Sequence, residues 1–235
     1  MLQKKNLVVV FTIALASLWA AGVEAQGNWQ PGDFGSWRFY LGIFEPEGDS
    51  QYWDESFDVF TGSASDFEDL VFGADYLWFT SRNAGLLFGV SGYDGRTTQS
   101  YLDWTDADGR DIGHATTLDL VDLTAAYIVR FGRGSLRPYL GGGGGLLWWE
   151  LREEGSFIDF GDPELPVIYA SYLADGNTWE LFALAGVDIR LSHRWSFFFE
   201  GRYRWADDEL NKDFAGFGTI DLSGAQAAGG LSFNF

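Results

Sequence analysis

The stretch from residue 195 to residue 205 reads Trp195-Ser196-Phe197-Phe198-Phe199-Glu200-Gly201-Arg202-Tyr203-Arg204-Trp205. Every second residue, starting from the first Trp, is uncharged and mostly aromatic, whereas the residues between them include a Glu and two Arg. Successive side chains of an extended backbone point to opposite sides, so this alternation predicts a β-strand with one apolar and one polar face.

The ends of the apolar face carry Trp195 on one side and Tyr203 with Trp205 on the other. At ~3.4 Å per residue and a tilt of roughly 40°, the two ends are about 26 Å apart. That distance is the height of the apolar band of a membrane β-barrel, which lies between two belts of aromatic residues. The stretch therefore predicts one strand of a transmembrane barrel.

Composition limits the classes of function. The chain has 235 residues, no cysteine and a formal net charge of −19. Without cysteine there is neither a disulfide framework nor a thiolate metal site, and no cofactor is expected. The strong negative charge argues against nucleic acid as a partner, because a binder must neutralise phosphates with Lys and Arg.

The N-terminal segment has the pattern of a secretory signal peptide. Lys4 and Lys5 precede an apolar run over residues 7–23, and Val23 and Ala25 suit a cleavage site. We expect cleavage after residue 25 and a barrel over residues 26–235. An uncleaved membrane anchor is the alternative. No later run approaches the ~20 apolar residues of a spanning helix, so any membrane crossing must use strands.

The same alternation marks seven further strands. They are expected at residues 36–44, 69–81, 85–93, 118–131, 137–152, 179–191 and 223–235. Short connections alternate with long ones, and the long ones cover residues 45–68, 94–117, 153–178 and 206–222. Short periplasmic turns and long outer loops are typical of membrane barrels. The prediction is an all-β, eight-stranded, antiparallel, up-and-down transmembrane β-barrel.

The last residues, Gly229-Gly230-Leu231-Ser232-Phe233-Asn234-Phe235, resemble the C-terminal signal of bacterial outer-membrane proteins. The chain after residue 25 is similar to the small eight-stranded families, the OmpA/OmpX-type and OmpW-type barrels. This resemblance implies a location in the bacterial outer membrane and contact with its lipid, including lipopolysaccharide. It also implies that the barrel-assembly machinery reads Phe233 and Phe235.

The polar faces of the strands predict a charged lumen. Twelve residues are expected to form an inward ion-pair network: Arg38, Asp75, Asp122, Arg130, Glu150, Arg152, Glu180, Asp188, Arg190, Glu200, Arg202 and Arg204. The interior of an eight-stranded barrel barely holds its side chains, and buried charges must be paired. The network either plugs the lumen or gates a narrow pore, and the sequence does not separate the two.

Apolar residues are also expected on the inward faces: Leu140, Leu146, Trp148, Phe182, Leu184 and Phe198. They either pack around the network or, in an OmpW-type interpretation, line a path for a small hydrophobic molecule.

The expected outer loops are acidic. Asp106, Asp108 and Asp111 form a weak candidate for a divalent-cation site, although Trp104 occupies the place of the first EF-hand ligand. A solvated surface, cation bridging to lipopolysaccharide phosphates and attraction of a basic extracellular partner are the alternatives. Aromatic residues within the loops, such as Tyr52 and Trp53, would suit protein contacts.

Catalytic residues are not evident. Of the two histidines, His193 lies in an expected turn, and His114 lies near Asp111 and Thr116 without the pattern of a triad. We therefore predict a non-enzymatic role in envelope integrity or surface interaction, with a largely plugged lumen. A narrow channel for small hydrophobic or ionic solutes is the second hypothesis, and a hydrolase of outer-membrane lipid is the third.

Overall fold

The computed structural model describes residues 35–132 and 134–235. The expected signal peptide, residues 1–25, lies outside these described residues, as does the start of the expected barrel region, 26–235. Within the two described ranges, no helix has the length and apolar content that a bilayer crossing requires.

Eight strands form one closed antiparallel barrel. They are β1 (Gly35–Pro46), β2 (Asp69–Phe79), β3 (Ala84–Thr105), β4 (Asp111–Arg130), β5 (Leu136–Ile158), β6 (Val167–Arg190), β7 (Trp195–Trp205) and β10 (Gly224–Asn234). Two short strands, β8 (Asp207–Glu209) and β9 (Thr219–Asp221), pair with each other outside the barrel. The predicted all-β, eight-stranded architecture is confirmed.

The ring closes between the first and the last strand. Ser36 lies opposite Asn234 and Pro46 opposite Gly224 along the β1–β10 ladder. On its other side, β1 pairs with β2. Every barrel strand thus has two neighbours, so the backbone N–H and C=O groups are satisfied without water. A sheet surrounded by hydrocarbon requires this arrangement.

Two belts of aromatic residues border an apolar outer surface. One belt, at the end with the short turns, contains Trp37, Tyr76, Trp78, Trp195, Phe233 and Phe235. The other contains Trp148, Trp179, Tyr203 and Trp205. By the rule for membrane barrels, the short-turn end is periplasmic and the opposite end is extracellular. The β7 pattern thus marks the full height of the apolar band.

The extracellular connections are more ordered than the sequence indicated. Residues 94–117 and 153–178, expected as loops, mostly continue β3, β4, β5 and β6, which leaves only residues 106–110 and 159–166 as connections. The expectation failed because it relied on apolar alternation, which marks only the part of a strand that faces lipid. Above the lipid, a strand has no need of an apolar outer face.

The first and last extracellular connections fold over the barrel. The first contains helix α1 (Gln51–Val59) and a short 3₁₀ turn (Ala64–Phe67), and the last contains β8, β9 and a second 3₁₀ turn (Lys212–Phe214). Trp53 of α1 has no exposed surface and donates a hydrogen bond from Nε1 to the Asp221 carbonyl oxygen at 2.9 Å. The two connections are therefore packed against each other.

Candidate functional site

The interior of the barrel is filled by three stacked groups of side chains. The extracellular cap joins α1 and the last connection to the inward faces of the strands, through Phe44, Trp53, Phe67, Trp149, Phe214 and Leu222 among others. The periplasmic cluster contains Leu77, Phe79, Leu87, Ala126, Ile128, Tyr139, Phe182 and Leu184. Between them lies the central charged layer, made of Arg38, Asp75, Asp122, Glu180, Glu200, Arg202 and Arg204.

Glu200 is the best-coordinated carboxylate of the central charged layer. Its Oε2 lies 3.2 Å from Arg38 Nη2 and accepts a hydrogen bond from the Tyr139 hydroxyl at 2.9 Å. Its Oε1 lies 3.2 Å from Arg202 Nη2. Arg38 also donates to the Tyr139 hydroxyl at 2.6 Å. Such shared partners offset the desolvation cost of charges in a narrow interior.

Arg204 forms a second centre in the same layer. Its Nη2 lies 3.2 Å from Asp122 Oδ2, and its Nε lies 3.2 Å from Glu180 Oε2. The Ser91 hydroxyl donates a further hydrogen bond to Asp122. The Arg204 guanidinium also lies over the Phe44 ring, 4.8 Å from its centroid. The charged layer therefore adjoins the extracellular cap directly.

Asp75 is buried in this layer without a hydrogen bond to either carboxylate oxygen among the described residues. It lies directly opposite Arg38 across the β1–β2 ladder. The inward position beside it on β3 is Gly89, where any side chain would meet the Asp75 carboxylate. Its charge is balanced within the layer by neighbouring guanidinium groups instead of a direct bond.

The periplasmic end of the lumen is also closed. Arg130 Nη1 lies 3.9 Å from Asp188 Oδ2, and the Arg130 guanidinium lies 3.7 Å from the centroid of the Phe79 ring. A cavity of about 10 Å³ remains between these residues and Arg190 at the mouth. That space holds about one water molecule, far less than a solvated path requires.

Two predicted network members do not face the lumen. Glu150 and Arg152 lie on the outer wall of β5, where Arg152 Nη2 is 2.6 Å from Glu150 Oε1 and the Arg152 side chain is 47% exposed. The expectation that they face inward was wrong because both faces of β5 are apolar around residues 146–149. The Gly run at 141–145 adds no information on the phase of the strand.

The same phase error affects the apolar residues of β5. Leu147 and Trp149 point inward, whereas Trp148 faces outward, and Leu140 and Leu146 share its side of the strand. Phe182, Leu184 and Phe198 are buried in the lumen. They pack against arginines, with Arg202 above Phe182 and Arg38 above Phe198. These three inward rings thus pack against the charged side chains and their neighbours in the lumen.

The aspartates predicted as candidate cation ligands lie in or beside the β3–β4 turn, where Asp106 stabilises the turn by hydrogen bonds. Asp106 Oδ1 accepts hydrogen bonds from the backbone N–H groups of Asp108 and Arg110, and Asp108 pairs with Arg110 at 3.2 Å. Asp111 begins β4. Across residues 35–132 and 134–235, no group of three or more His, Asp or Glu side chains is arranged to hold a metal ion. The sequence pattern reflects turn formation.

The aromatic residues of α1 belong to the core, whereas Trp104 of the β3–β4 hairpin is 43% exposed. Tyr52 and Trp53 are buried in the extracellular cap, and Phe57 stacks on Trp53 with ring centroids 5.5 Å apart. The sequence did contain a signal for this outcome, since residues 52, 53, 56 and 57 share one side of a helical turn. That helical spacing was overlooked because the segment was interpreted as a loop.

His114 is sealed inside the extracellular end of the barrel. It is 2% exposed, its ring lies 4.5 Å from Phe60 and 4.7 Å from Phe157, and neither nitrogen has a hydrogen-bond partner among the described residues. Burial lowers its pKa to about 4, so the ring is neutral. His193 lies in the exposed turn between β6 and β7. Neither histidine is placed as the base of a triad.

An acidic cleft opens beside the cap, between α1, the β5–β6 extension and the last connection. Its volume is about 670 Å³. Tyr52, Phe60, Tyr101, Phe157, Phe160, Tyr172, Phe214 and Phe217 contribute aromatic rings, and Glu55, Asp58, Glu153 and Asp213 contribute carboxylates. The Tyr52 hydroxyl donates a hydrogen bond to Glu153 at 2.8 Å. The sequence did not indicate this cleft, because its residues come from five separate segments of the chain.

Comparison with known proteins supports the fold. No protein-family model and no curated protein sequence matches the chain. Among solved structures, it is similar to Neisserial surface protein A (TM-score 0.51, 12% identity, 86% of this chain and 97% of that one). It is also similar to the outer membrane protein OprG of Pseudomonas aeruginosa (TM-score 0.52, 12% identity, 87% and 97%).

A third similar structure is the outer membrane protease OmpT of Escherichia coli (TM-score 0.51, 9% identity, 89% of this chain and 99% of that one). The chain therefore has the fold of outer-membrane β-barrel proteins. A fold shared by a surface protein and a protease does not determine an activity, which must be argued from the site.

Proposed function

We propose that this protein is a non-enzymatic barrel of the bacterial outer membrane that does not conduct through its lumen and acts through its extracellular surface. Its role would be envelope integrity or surface interaction. The observation that carries the proposal is the continuous filling of the interior by the extracellular cap, the central charged layer and the periplasmic cluster.

Opening a path through this interior would require several costly changes at once. Removing one partner of a buried ion pair typically costs about 3–5 kcal/mol. Glu200 and Arg204 each join two oppositely charged partners, so moving either residue breaks more than one pair. The cap would also have to expose Trp53 and Phe67. A closed resting state follows from these energies.

The extracellular surface offers the binding features. The β3–β4 and β5–β6 hairpins project beyond the aromatic belt, and their outer walls carry Asp94, Asp119 and Glu150 beside Arg96 and Arg152. Such mixed charge suits lipopolysaccharide, whose phosphates would contact the arginines directly and the carboxylates through divalent cations. A basic extracellular partner would be attracted by the acidic hairpin tips.

The C-terminal residues support a role in assembly. Phe233 and Phe235 lie in the periplasmic aromatic belt, where Phe233 contacts Trp195 and Phe235 stacks on Tyr76. Both residues lie at the outer face of the last strand, as a signal for the barrel-assembly machinery would require. We infer recognition by the barrel-assembly machinery from the resemblance of these residues to the C-terminal signal of outer-membrane proteins.

A strain that lacks this protein tests the surface role. Wild type and a variant with residues 97–116 replaced by an Asn-Gly turn are each expressed in it. The replacement joins β3 to β4 at the Arg96–Thr117 rung, so the membrane ladder stays in register. Uptake of a lipophilic dye and adherence of the cells to an abiotic or host surface are measured.

We expect wild type to restore the dye barrier or the adherence, and the shortened variant to fail while still migrating as a folded, heat-modifiable band. A matched control is Glu200→Gln, which alters the lumen alone and should restore both properties if it folds. Full restoration by the shortened variant would contradict the proposal.

A further inference from the structure

The acidic cleft contains a buried carboxylate, and none of the described residues that line the cleft is a Lys or Arg. Glu153 is 6% exposed and lies at the floor of the cleft, where its Oε1 accepts the hydrogen bond from Tyr52. The lining residues include neither Lys nor Arg. By contrast, Glu200 and Asp122 in the lumen each contact a guanidinium. A buried carboxylate without a cation is costly to ionise, and a positively charged ligand would supply the missing partner.

Among the described residues, no Lys or Arg lines the cleft around Glu153. The titratable groups that share the cleft with it are Tyr52, Glu55 and Asp58 from α1, Tyr101 from β3, Tyr172 from β6 and Asp213 from the last connection. On the adjacent strand β4, Thr116 lies opposite Glu153, and His114 lies two residues farther along. His114 is neutral, because burial lowers its pKa to about 4. Burial likewise raises the pKa of Glu153 to about 7. A bound cation would reverse that shift by stabilising the ionised carboxylate.

The walls of the cleft are aromatic, and several rings hold one another in place. The Phe157 ring packs edge-to-face on Tyr172 with centroids 4.9 Å apart, and Phe60 packs on Tyr101 at 4.7 Å. Aromatic faces attract cations electrostatically, most strongly where water is excluded, and such cages recognise organic ammonium groups. They also provide apolar surface that a hydrated metal ion would not use.

The size of the cleft favours a small molecule. Its volume of about 670 Å³ lies within the ~300–1,000 Å³ of small-ligand sites. Tyr52 and Phe214, which are buried, form the rigid inner wall, whereas Glu55, Asp58 and Asp213 lie exposed at the rim. Rim carboxylates would concentrate cations at the entrance, and Glu153 would hold the charge at the floor.

We propose that the acidic cleft is a binding site for a small organic monocation with an apolar body, of the arylalkyl-ammonium or alkylammonium class. The ammonium group lies against Glu153, and the apolar body lies between Phe157, Tyr172 and Phe217. A ligand at this site would give the proposed surface role a specific target, and it rests on that role. Binding is measured independently of conductance and of dye uptake, so either proposal can fail without the other.

The test uses the refolded chain over residues 26–235 in zwitterionic micelles, with benzylammonium as the probe and benzyl alcohol as its neutral counterpart of similar shape. Binding is measured by isothermal titration calorimetry. We expect benzylammonium to bind at least about tenfold more tightly than benzyl alcohol, as an added charge interaction implies. Equal binding of the two probes would overturn the proposal.

Two acidic residues of β5 provide matched variants. Glu153→Gln removes the carboxylate at the floor, and Glu150→Gln makes the same charge change on the outer wall of the same strand. We expect the first to weaken benzylammonium binding by about tenfold or more and the second to leave it unchanged. Equal losses in both variants would show a nonspecific surface charge effect and would contradict the site.

The pH dependence supplies a readout that a structural role would not give. Between about pH 6 and about pH 8, the affinity for benzylammonium should rise as Glu153 ionises, because the cation binds the charged carboxylate. Glu153→Gln should abolish this rise. If that variant does not fold, Tyr172→Leu provides a second test, because it keeps every charge. It should weaken benzylammonium binding, and the affinity should still increase with pH. Tighter binding of a short oligolysine that displaces benzylammonium would overturn the assignment to a small monocation.

Discussion

At the scale of single residues, the inward carboxylates fall into two classes. Glu200, Asp122 and Glu180 lie in the central charged layer, and each contacts an arginine that offsets the cost of its burial. Glu153 lies above the lipid, bonded to Tyr52 alone, and burial raises its pKa to about 7. The sequence predicted the first three on strands and Glu153 at the start of an outer loop, without indicating their partners. The difference depends on which residues the barrel brings near them.

The raised pKa of Glu153 predicts that the extracellular cap loses stability as the pH rises. Its ordinary pKa is 4.5 and its folded pKa is about 7, so between these values the folded chain binds more protons than the unfolded chain. The contribution of protonated Glu153 to the free energy of unfolding is therefore fully present below pH 4.5 and is lost as the pH rises through 7. The total loss is on the order of 3 kcal/mol.

The measurement is urea unfolding followed by tryptophan fluorescence at about pH 6 and about pH 8, for wild type and Glu153→Gln. The variant should lose the pH dependence and be the more stable form at the higher pH. His114 has the opposite dependence at lower pH, since its pKa is lowered to about 4. Comparing the two proteins removes that contribution. The prediction would be refuted if the free energy of unfolding of wild type, relative to that of the variant, increased from about pH 6 to about pH 8.

At the scale of the elements, the strands were predictable where one face meets lipid. In β7 the two faces differ completely, and both its boundaries and its inward face follow from the sequence. In β5 both faces are apolar near residues 146–149, so the phase is set by neighbours, such as Thr124 and Ala126 of β4, that approach its glycines. Helix α1 was missed although residues 52, 53, 56 and 57 have helical spacing, because its acidic segment was interpreted as a loop.

Close approaches of inward aromatic rings to glycines on the neighbouring strand are a recurring feature of this barrel. The Tyr139 ring of β5 lies across Gly186 of β6, so that a Cβ at residue 186 would overlap the ring. Gly186→Ala should therefore destabilise the barrel by about 1–3 kcal/mol, the usual cost of overpacking. Displacing the Tyr139 hydroxyl would also disturb its hydrogen bonds with Glu200 and Arg38.

Gly201 on β7 is the matched control, because it faces outward and a Cβ there meets only the Gln226 carbonyl oxygen at 3.9 Å. Gly201→Ala should be neutral or slightly stabilising. Urea midpoints of the refolded variants in one detergent provide the comparison. Equal destabilisation by the two substitutions would show that the Tyr139 contact does not restrict residue 186.

The extracellular cap should depend strongly on Trp53. Removing this fully buried ring leaves a cavity and the Asp221 carbonyl oxygen without its donor, which typically costs about 3–5 kcal/mol. Trp53→Ala should thus raise amide hydrogen exchange in α1 while the transmembrane ladder stays protected. Trp104→Ala, at a ring that is 43% exposed, is the control. Unchanged protection of α1 in Trp53→Ala would contradict the packing of the cap.

At the scale of the whole molecule, the barrel separates its charges by depth. Paired charges lie inside the apolar band, and the acidic residues that give the chain its net charge of −19 lie mostly at the extracellular end. Closure, strand number and orientation followed from the sequence because lipid imposes them. The acidic cleft and the extracellular cap could not be predicted from the sequence, because both combine side chains from connections far apart in the chain.

The proposed closed lumen is tested most directly by the conductance of the refolded chain, residues 26–235, in a planar bilayer. A heat-dependent gel shift first shows that the chain is folded. A conducting porin inserted under the same conditions confirms that channels are detectable. We expect no single-channel steps for wild type, nor for the double variant Glu200→Gln with Arg202→Gln, because the cap and the periplasmic cluster remain. Reproducible steps in wild type that change in the double variant would contradict the proposed closed lumen and would support a narrow channel instead.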